Sequence, residues 1–307
     1  MVDLPLGPVG GPAVEILDPA FAACIDASAT LVRLWTGGRW AEGPAWLDRE
    51  GILVWSDIPG DRLWSWRASD GAIAEFRHPS QAANGNTHDR QGRLVTCEQN
   101  TRRITRTELD GRITTLADAW QGKRFTGPND VVVKSDDSIW FTDPDYARGP
   151  QYDGQIEIEG CHVYRIDPAT GEVRRVIDDM VMPNGLAFSP DETILYVVDT
   201  GSTLGTGGPN HIRAFRVSPD SSLSPISVLA VDEGKAFDGL RVDTEGRLWA
   251  GTGQGVSCYL PTGQLIGRIR VPERVANLEF AGSDRNQLIL CGTTSLYLVS
   301  VRALPAV

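Results

Sequence analysis

The chain has 307 residues, 41% of them hydrophobic and 22% charged, which predicts a globular protein whose core needs no disulfide or metal for its stability. Its formal net charge of −11 argues against a nucleic acid or an anionic membrane as a partner. Five scattered cysteines without a C-x-x-C pair, no signal-peptide pattern and no apolar run long enough to span a bilayer lead us to expect a cytoplasmic protein.

Strand patterns fill nearly the whole chain, and helical periodicity is almost absent. A small or polar pair, an apolar strand, an Asp/Gly turn and a second apolar strand recur as EGPAWLDREGILVWSD (42–57), NGNTHDRQGRLVTCEQ (84–99), GPNDVVVKSDDSIWFTD (127–143), VMPNGLAFSPDETILYVVDT (181–200), FDGLRVDTEGRLWAGT (237–252) and ANLEFAGSDRNQLILCG (276–292). Each of the first five copies is followed by a second hairpin, such as RLWSWRASDGAIAEF (62–76). The pattern therefore predicts four short strands in about every 40–55 residues.

Six such repeats predict an all-β fold, namely a six-bladed β-propeller with four-stranded antiparallel blades. The last repeat has only three strands, whereas a spare strand, TLVRLW (30–35), precedes the first repeat. We expect this strand to pair with residues 296–301 and to close the last blade. The expected organisation is an N-terminal extension (1–28) followed by one propeller domain (29–307), and a stacked β-sandwich is the alternative fold.

The first strand of a propeller blade lies beside the central channel, so residues at one phase of the repeat face a common axis. The residues at this phase carry side-chain oxygens, and they are Glu42, Asn84, Asn129, Asn184, Asp238 and Asn277, the channel ring. Such a ring either solvates a water-filled channel or binds a hard divalent cation, and its carboxylates and carboxamides favour the cation. The ring lacks His and Cys, the usual zinc ligands. Gly85, Gly185 and Gly239 follow ring members and would allow close backbone approach.

These motifs resemble the SMP-30/gluconolactonase/luciferin-regenerating family of six-bladed propellers, most closely its bacterial gluconolactonase branch. The resemblance covers about residues 29–303, and it is carried by EGPAW (42–46), GNTHDRQGRLVTCE (85–98), GKRFTGPNDVVVKSDDSIWFTDP (122–144), PNGLAFSPDETILYV (183–197) and DGLRVDTEGRLW (238–249). It implies that Glu42, Asn184 and Asp238 are metal ligands. It also implies that Asn129 contacts the metal, a metal-bound water or the substrate.

The resemblance further implies an enzyme that hydrolyses a small sugar lactone to the aldonic acid. The expected cofactor is one Ca²⁺ ion, for which Mg²⁺, Mn²⁺ or Zn²⁺ could substitute. The cation would polarise the carbonyl, and Asp238 is the expected base for the attacking water. Animal members hold the sugar with an Arg two residues before Asn129, but this chain has Gly127 there. We expect Lys123 or Arg124 to replace that contact.

Two other functions fit the same channel ring. A calcium-binding propeller without catalysis would need no base, and an organophosphate or other ester hydrolase would need the same Lewis acid and activated water. A WD-type interaction propeller is disfavoured because no repeat carries its signature, and the P-loop, G-x-S-x-G and H-E-x-x-H motifs are absent. His88 and His211 are interpreted as surface residues. Asp199 and His211 are the substitute bases if Asp238 proves to be only a ligand.

Overall fold

The computed structural model describes residues 4–146, 155–204, 207–232 and 236–306. Within these ranges the chain forms a six-bladed β-propeller of antiparallel sheets, as predicted. The segment before the first blade forms β1 (Gly7–Pro8), β2 (Val14–Ile16), helix α1 (Pro19–Cys24) and β3 (Val32–Thr36).

The strands of each blade follow one another in chain order. Blade 1 consists of β4 (Ala41–Leu47), β5 (Ile52–Asp57), β6 (Arg62–Arg67) and β7 (Ile73–Arg77). Blade 2 consists of β8 (Ala83–His88), β9 (Leu94–Glu98), β10 (Arg103–Thr107) and β11 (Ile113–Ala117), and a short hairpin, β12 (Ala119–Trp120) and β13 (Lys123–Arg124), follows it. Blade 3 consists of β14 (Val131–Val133), β15 (Ile139–Asp143), β16 (Cys161–Ile166) and β17 (Val173–Met180).

The second half of the chain repeats this arrangement. Blade 4 consists of β18 (Pro183–Phe188), β19 (Ile194–Asp199), β20 (His211–Val217) and β21 (Leu223–Val231). Blade 5 consists of β22 (Leu240–Val242), β23 (Leu248–Thr252), β24 (Gly255–Tyr259) and β25 (Leu265–Arg270), and blade 6 of β26 (Val275–Ala281), β27 (Gln287–Gly292) and β28 (Ser295–Ser300). Two 3₁₀ turns, Ile58–Gly60 and Gly201–Leu204, follow the second strands of blades 1 and 4.

The first strands of neighbouring blades pack against each other around a complete circle. Strand β4 contacts β8, β8 contacts β14, β14 contacts β18, β18 contacts β22, β22 contacts β26, and β26 contacts β4. The first strand of every blade is therefore the innermost one and lines the channel, which is the geometry that the repeat predicts.

The last blade is closed by a strand from the other end of the chain. Strand β3 pairs antiparallel with β28, with Trp35 opposite Leu296 and Val32 opposite Leu298. This pairing confirms the predicted closure. It also joins the two ends of the chain, so that the propeller cannot open at this seam without losing a β-ladder.

The described part of the N-terminal extension, residues 4–28, also adds to the propeller. Strand β2 is a fifth strand on the outer edge of blade 5, with Val14 opposite Ile269, and β1 pairs with β3 in blade 6. Helix α1 begins after Asp18, whose carboxylate accepts a hydrogen bond from the Ala20 N–H at 2.9 Å. Phe21 of this helix is completely buried, and its ring covers Gly267, where any side chain would overlap it.

Apolar side chains fill the space between the blades. Trp55, Trp140 and Trp249 lie on second strands and are completely buried. Burial of such large side chains supplies most of the free energy that holds neighbouring blades together. Within the described ranges, no helix is long and apolar enough to cross a membrane.

Candidate active site in the channel

All six members of the channel ring are buried, with between 1% and 6% of their surface exposed. In blades 1, 2, 4 and 6 the pairing of the inner strand shifts register at the ring member. In blade 3 the Asn129 N–H donates to Thr142 O (2.8 Å) while the Thr142 N–H donates to Asp130 O (3.0 Å), so two residues oppose one, and blade 5 shows the same pairing. Such β-bulges re-aim side chains, which is why the ring members point out of the ladder.

Glycines bring neighbouring ring members close together. A Cβ atom at these glycines would overlap the ring member of the next blade, and the contacts pair Gly43 with Asn84, Gly85 with Asn129, Gly185 with Asp238 and Gly239 with Asn277. At Gly85 the added Cβ would lie 2.5 Å from Asn129 O, and the Gly85 N–H donates to that oxygen at 2.7 Å. Only glycine allows this approach, which draws the ring members together around the axis.

Glu42 and Asn277 contact each other in the ring. Asn277 Nδ2 donates to Glu42 Oε2 at 3.0 Å and lies 3.4 Å from Asp130 Oδ2, so one amide bridges two carboxylates. Burial raises the pKa of Glu42 well above its usual value, and the nearby carboxylates Asp238 and Asp130 raise it further. The Asp130 pKa is also raised, chiefly by burial, although the Arg241 guanidinium opposes the shift.

Asp238 is the second carboxylate of the ring, and it pairs with the guanidinium of Arg274. Arg274 Nη2 donates to Asp238 Oδ2 at 2.9 Å. Burial raises the pKa of Asp238 to about 6, while Arg274 and a hydrogen bond from Asn184 act in the opposite direction. Asn184 Nδ2 also lies 3.4 Å from the Tyr146 hydroxyl, whose pKa burial and Asp238 raise to about 12. Tyr146 is therefore neutral, and its hydroxyl oxygen accepts from Asn184.

The chemistry of the ring fits a hard divalent cation. Three buried carboxylates, Glu42, Asp130 and Asp238, repel one another, and burying charge without a partner is costly. Asp238 has Arg274, whereas the donors to Glu42 are the amide of Asn277 and the Gly43 N–H. The described residues form no group of three or more His, Cys, Asp or Glu side chains that could hold a metal, so a site here depends on carboxamide oxygens as further ligands.

The structure adds residues that the sequence argument missed. Asp130 directly follows a ring member, and Arg274 lies three residues before Asn277, so neither stands at the phase that was compared. Asp130 could have been found from the sequence because it directly follows a ring member. For Arg274 the signal would have been a basic residue in a loop that enters the ring.

Aspartates at the ends of second strands hold the loops that lead into the ring. Asp57 Oδ1 accepts from the N–H groups of Arg39 and Trp40, which lie three and two residues before Glu42. Asp143 accepts from two loop N–H groups before Asn129 in the same way, and burial raises its pKa to about 7.

Asp199 holds the corresponding loop of blade 4 in the same way. It accepts from the N–H groups of Val181, Met182 and Gly201 at 2.8 to 3.2 Å. Three backbone donors therefore hold this carboxylate in place as an anchor of the loop. His211 lies opposite Asp199 in the ladder; burial lowers its pKa, and its Nε2 has no hydrogen-bond partner within the described part of the chain.

Lys123 and Arg124 lie in the exposed hairpin β12–β13. The Arg124 N–H donates to Glu157 Oε2 at 2.9 Å, and Trp120 of the hairpin packs against Tyr164 in blade 3. Their proposed contact with the substrate stays a prediction, since both residues are exposed whereas the channel ring is buried.

A cavity of about 540 Å³ lies farther along the channel. Residues two to four positions after the ring members line it, including Val131–Val133 and His88, so it opens at the opposite end of the inner strands. Two of its arginines are paired: Arg241 Nε lies 3.0 Å from Glu279 and Arg285 Nη1 lies 2.9 Å from Asp48. The ring contains two carboxyl groups with raised pKa values, Glu42 and Asp238, and a third, Asp130, follows a ring member directly. The ring is therefore the candidate site despite the size of the cavity.

Comparison with known proteins agrees with this architecture. Residues 40–294 match the SMP-30/Gluconolactonase/LRE-like region. A gluconolactonase of Zymomonas mobilis is 29% identical over 276 residues, which cover 82% of this chain and 75% of that protein. The solved structure of a gluconolactonase from Xanthomonas campestris superposes with a TM-score of 0.89 at 36% identity over 97% of each chain. Another solved structure from the gluconolactonase family has a TM-score of 0.89 at 33% identity and covers 95% of this chain and 99% of its own. This chain belongs to the SMP-30/gluconolactonase/LRE-like family.

Proposed function

We propose that the protein hydrolyses a sugar lactone, such as gluconolactone, to the aldonic acid. The observation that carries the proposal is the pair of buried carboxyl groups, Glu42 and Asp238, both with raised pKa values, in a closed ring of carboxamides. Relatives named gluconolactonase, lactonohydrolase and pentonolactonase support the reaction class.

In this proposal Glu42, Asn129, Asn184 and Asp238 hold one divalent cation. The ligand atoms of these four side chains are all oxygens, which suit Ca²⁺, with Mg²⁺ or Mn²⁺ as substitutes. When bound, the cation supplies a Lewis acid that polarises the lactone carbonyl. Glu42 contributes charge and an oxygen ligand, and we assign it no proton transfer because its position is fixed by Asn277.

Asp238 is the proposed base. A carboxylate with a pKa near 6 is ionised at neutral pH and is a stronger base than an ordinary aspartate. Arg274 holds its Oδ2 and so fixes the plane of the carboxylate, and Oδ1 is assigned to accept the proton of the attacking water. The water oxygen bonds to the carbonyl carbon, the ring C–O bond breaks, and the proton passes to the leaving ring oxygen. Tyr146, neutral and half-buried, can donate a hydrogen bond beside this carboxylate.

The raised pKa of Asp238 also favours catalysis over the alternative of a purely calcium-binding propeller. A structural ligand gains nothing from a raised pKa, since protons then compete with the cation more strongly. Phosphoryl and carboxyl esters remain rival substrates because both need the same Lewis acid and base.

The test is a pH-indicator assay on a panel of aldonolactones, carboxyl esters and organophosphates, with and without a chelator. Asp238→Asn and Glu42→Gln are compared at saturating Ca²⁺ with occupancy measured by calorimetry, and Glu75→Gln, at an exposed ion pair with Arg62, is the control. Glu42→Gln should recover much of its activity once the site is refilled. Asp238→Asn should remain slow by a factor of about 10²–10⁴.

Three outcomes would contradict this proposal. Equal recovery of both variants would make Asp238 only a ligand. Chelator-insensitive hydrolysis would remove the cation from the reaction. A preference for organophosphates over every lactone would replace the substrate class.

A further inference from the structure

Arg274 places a partly open cation beside the proposed base. It lies in the loop before β26, and its Nη2 is 2.9 Å from Asp238 Oδ2. Its side chain is 27% exposed, whereas that of Asp238 is 8% exposed. Arg274 therefore connects the buried ring to the surface from which a substrate arrives.

The loop that carries Arg274 is held in place by its neighbour. The Glu273 carboxylate accepts hydrogen bonds from the Thr294 N–H and from the Tyr297 hydroxyl, each at 2.5 Å. These hydrogen bonds attach the loop to the last blade at the residue directly before Arg274. The contacts of this loop with blade 6 therefore help to set the position of the Arg274 guanidinium.

Trp40 provides a flat apolar surface next to this cation. The Arg274 guanidinium carbon lies 5.8 Å from the centre of the Trp40 ring. Trp40 is half-buried, its backbone N–H donates to Asp57 Oδ1 at 3.1 Å, and its backbone carbonyl accepts from the Ile58 N–H at 3.1 Å. These bonds hold the backbone of Trp40 in place, and its partly exposed indole lies against Arg274.

Arg274 has unused hydrogen-bonding capacity. A guanidinium has five N–H groups, and Arg274 Nε is buried without a hydrogen-bond partner within the described part of the chain. Leaving a buried donor unsatisfied is unfavourable, so a small movement of this partly exposed side chain that brings Nε to an acceptor of a bound molecule would be stabilising. An anionic acceptor would meet Asp238, Glu42 and the overall charge of −11, whereas a hydroxyl group meets no repulsion.

We propose that Arg274 and Trp40 form a substrate subsite that selects uncharged, polyhydroxylated lactones over lactones without hydroxyl groups. Trp40 covers a C–H face of the sugar ring, and Arg274 donates hydrogen bonds to ring hydroxyls while it keeps its contact with Asp238. This inference rests on the proposed lactone hydrolysis.

The kinetic test compares glucono-δ-lactone with δ-valerolactone, which has the same ring size and no hydroxyl groups. Arg274→Gln and Trp40→Leu should each lower the ratio of the two kcat/KM values by about 10- to 100-fold, mainly through KM for the hydroxylated lactone. Arg274→Lys should restore part of the ratio. The matched control is Arg213→Gln, because Arg213 also pairs with an aspartate (Asp179, 2.8 Å) and lies 4.8 Å from an aromatic ring centre, but on an outer strand of blade 4.

A loss that is equal for both lactones would overturn the subsite, since it would mean that Arg274 only supports Asp238. A binding measurement separates this result from failure of the proposed function. Calorimetric titration with 1,5-anhydroglucitol, which has a sugar ring and no carbonyl, should show binding to the wild type and about 10-fold weaker binding to Arg274→Gln. Binding with no lactone hydrolysis would refute the reaction and keep the subsite. No difference in binding between the two proteins would refute the subsite.

Discussion

Asn277→Asp tests whether the ring was built around a cation. In the native protein the Asn277 amide donates to Glu42 Oε2 at 3.0 Å and faces Asp130 Oδ2 at 3.4 Å. The substitution replaces the side-chain amide with a carboxylate and hardly changes the volume of the side chain. It replaces the amide donor with a third carboxylate between those of Glu42 and Asp130, so that two attractive contacts become repulsive.

The magnitude follows from these distances. Two unit charges 3 Å apart repel by about 5 kcal/mol at an effective dielectric constant of about 20, and a lost hydrogen bond to a charged group costs about 1.5–3 kcal/mol. Protonation of one carboxyl relieves part of the repulsion, which leaves an expected loss of about 3–5 kcal/mol near neutral pH. For a chain of this size the melting temperature should fall by about 5–15 °C in the presence of a chelator.

Millimolar Ca²⁺ should restore most of this loss, because the extra carboxylate strengthens the attraction for a divalent ion. Differential scanning calorimetry with EDTA and with Ca²⁺ measures both effects. The control is Asn86→Asp, since Asn86 is equally buried but donates to Gly43 O (2.8 Å) and Ser56 Oγ (2.9 Å) and not to a carboxylate. Both variants should be destabilised, and only Asn277→Asp should be rescued. If Ca²⁺ rescues neither variant, the ring is a solvated channel.

Three further predictions follow from the geometry. Gly185→Ala should lower both activity and melting temperature because the new methyl group overlaps Asp238 O, while Gly10→Ala, with open space around it, should change neither. Asp199→Asn should cost about 1–3 kcal/mol in urea unfolding, since its carboxylate caps loop N–H groups; a slow variant with unchanged stability would instead indicate a base. Because the folded-state pKa values of Asp238 (about 6) and Glu42 are raised, the metal-free protein should lose stability as the pH rises through about 6, and the Ca²⁺-induced rise in melting temperature should be larger at about pH 7.5 than at about pH 5. An equal rise at both pH values would contradict the last of these.

The fold could be predicted because its determinants are local and repeated. Each blade needs only short alternating strands and turn residues, and these recur six times in the sequence. The pairing of β3 with β28 could be predicted by counting strands, although the partners lie more than 250 residues apart. The positions of β1 and β2 could not be predicted, because two- and three-residue strands carry no periodicity and their partners are chosen by tertiary contacts.

The ring positions were also predictable, because they recur at one phase of the repeat, whereas the bulge conceals the role of the residue next to them. In a regular strand the side chains alternate, and a residue next to a ring member would face away from it. At Asn129 and Asp130 two residues oppose Thr142, so this rule fails locally, and Asp130 turns toward Asn277 in the ring. Period-two reasoning therefore finds Asn129 and misses Asp130. Bulge geometry is set by backbone hydrogen bonds across the sheet, and no single residue in the strand signals it.

The charged side chains around the ring are distributed unevenly, and this asymmetry supports the proposed location of the chemistry. Comparing repeats finds what the blades share, which is an oxygen-bearing side chain at one phase. Asp238, Asn277 and Glu42 belong to the consecutive blades 5, 6 and 1, whereas blades 2, 3 and 4 contribute only carboxamides to the ring. Arg274 and Trp40 enter from loops of blades 6 and 1, so the cation and the aromatic platform lie on the same side as the two ring carboxylates. In the proposed subsite a lactone would have its carbonyl beside Asp238 and away from Asn84, which is consistent with the position of both ring acids in blades 5 and 1.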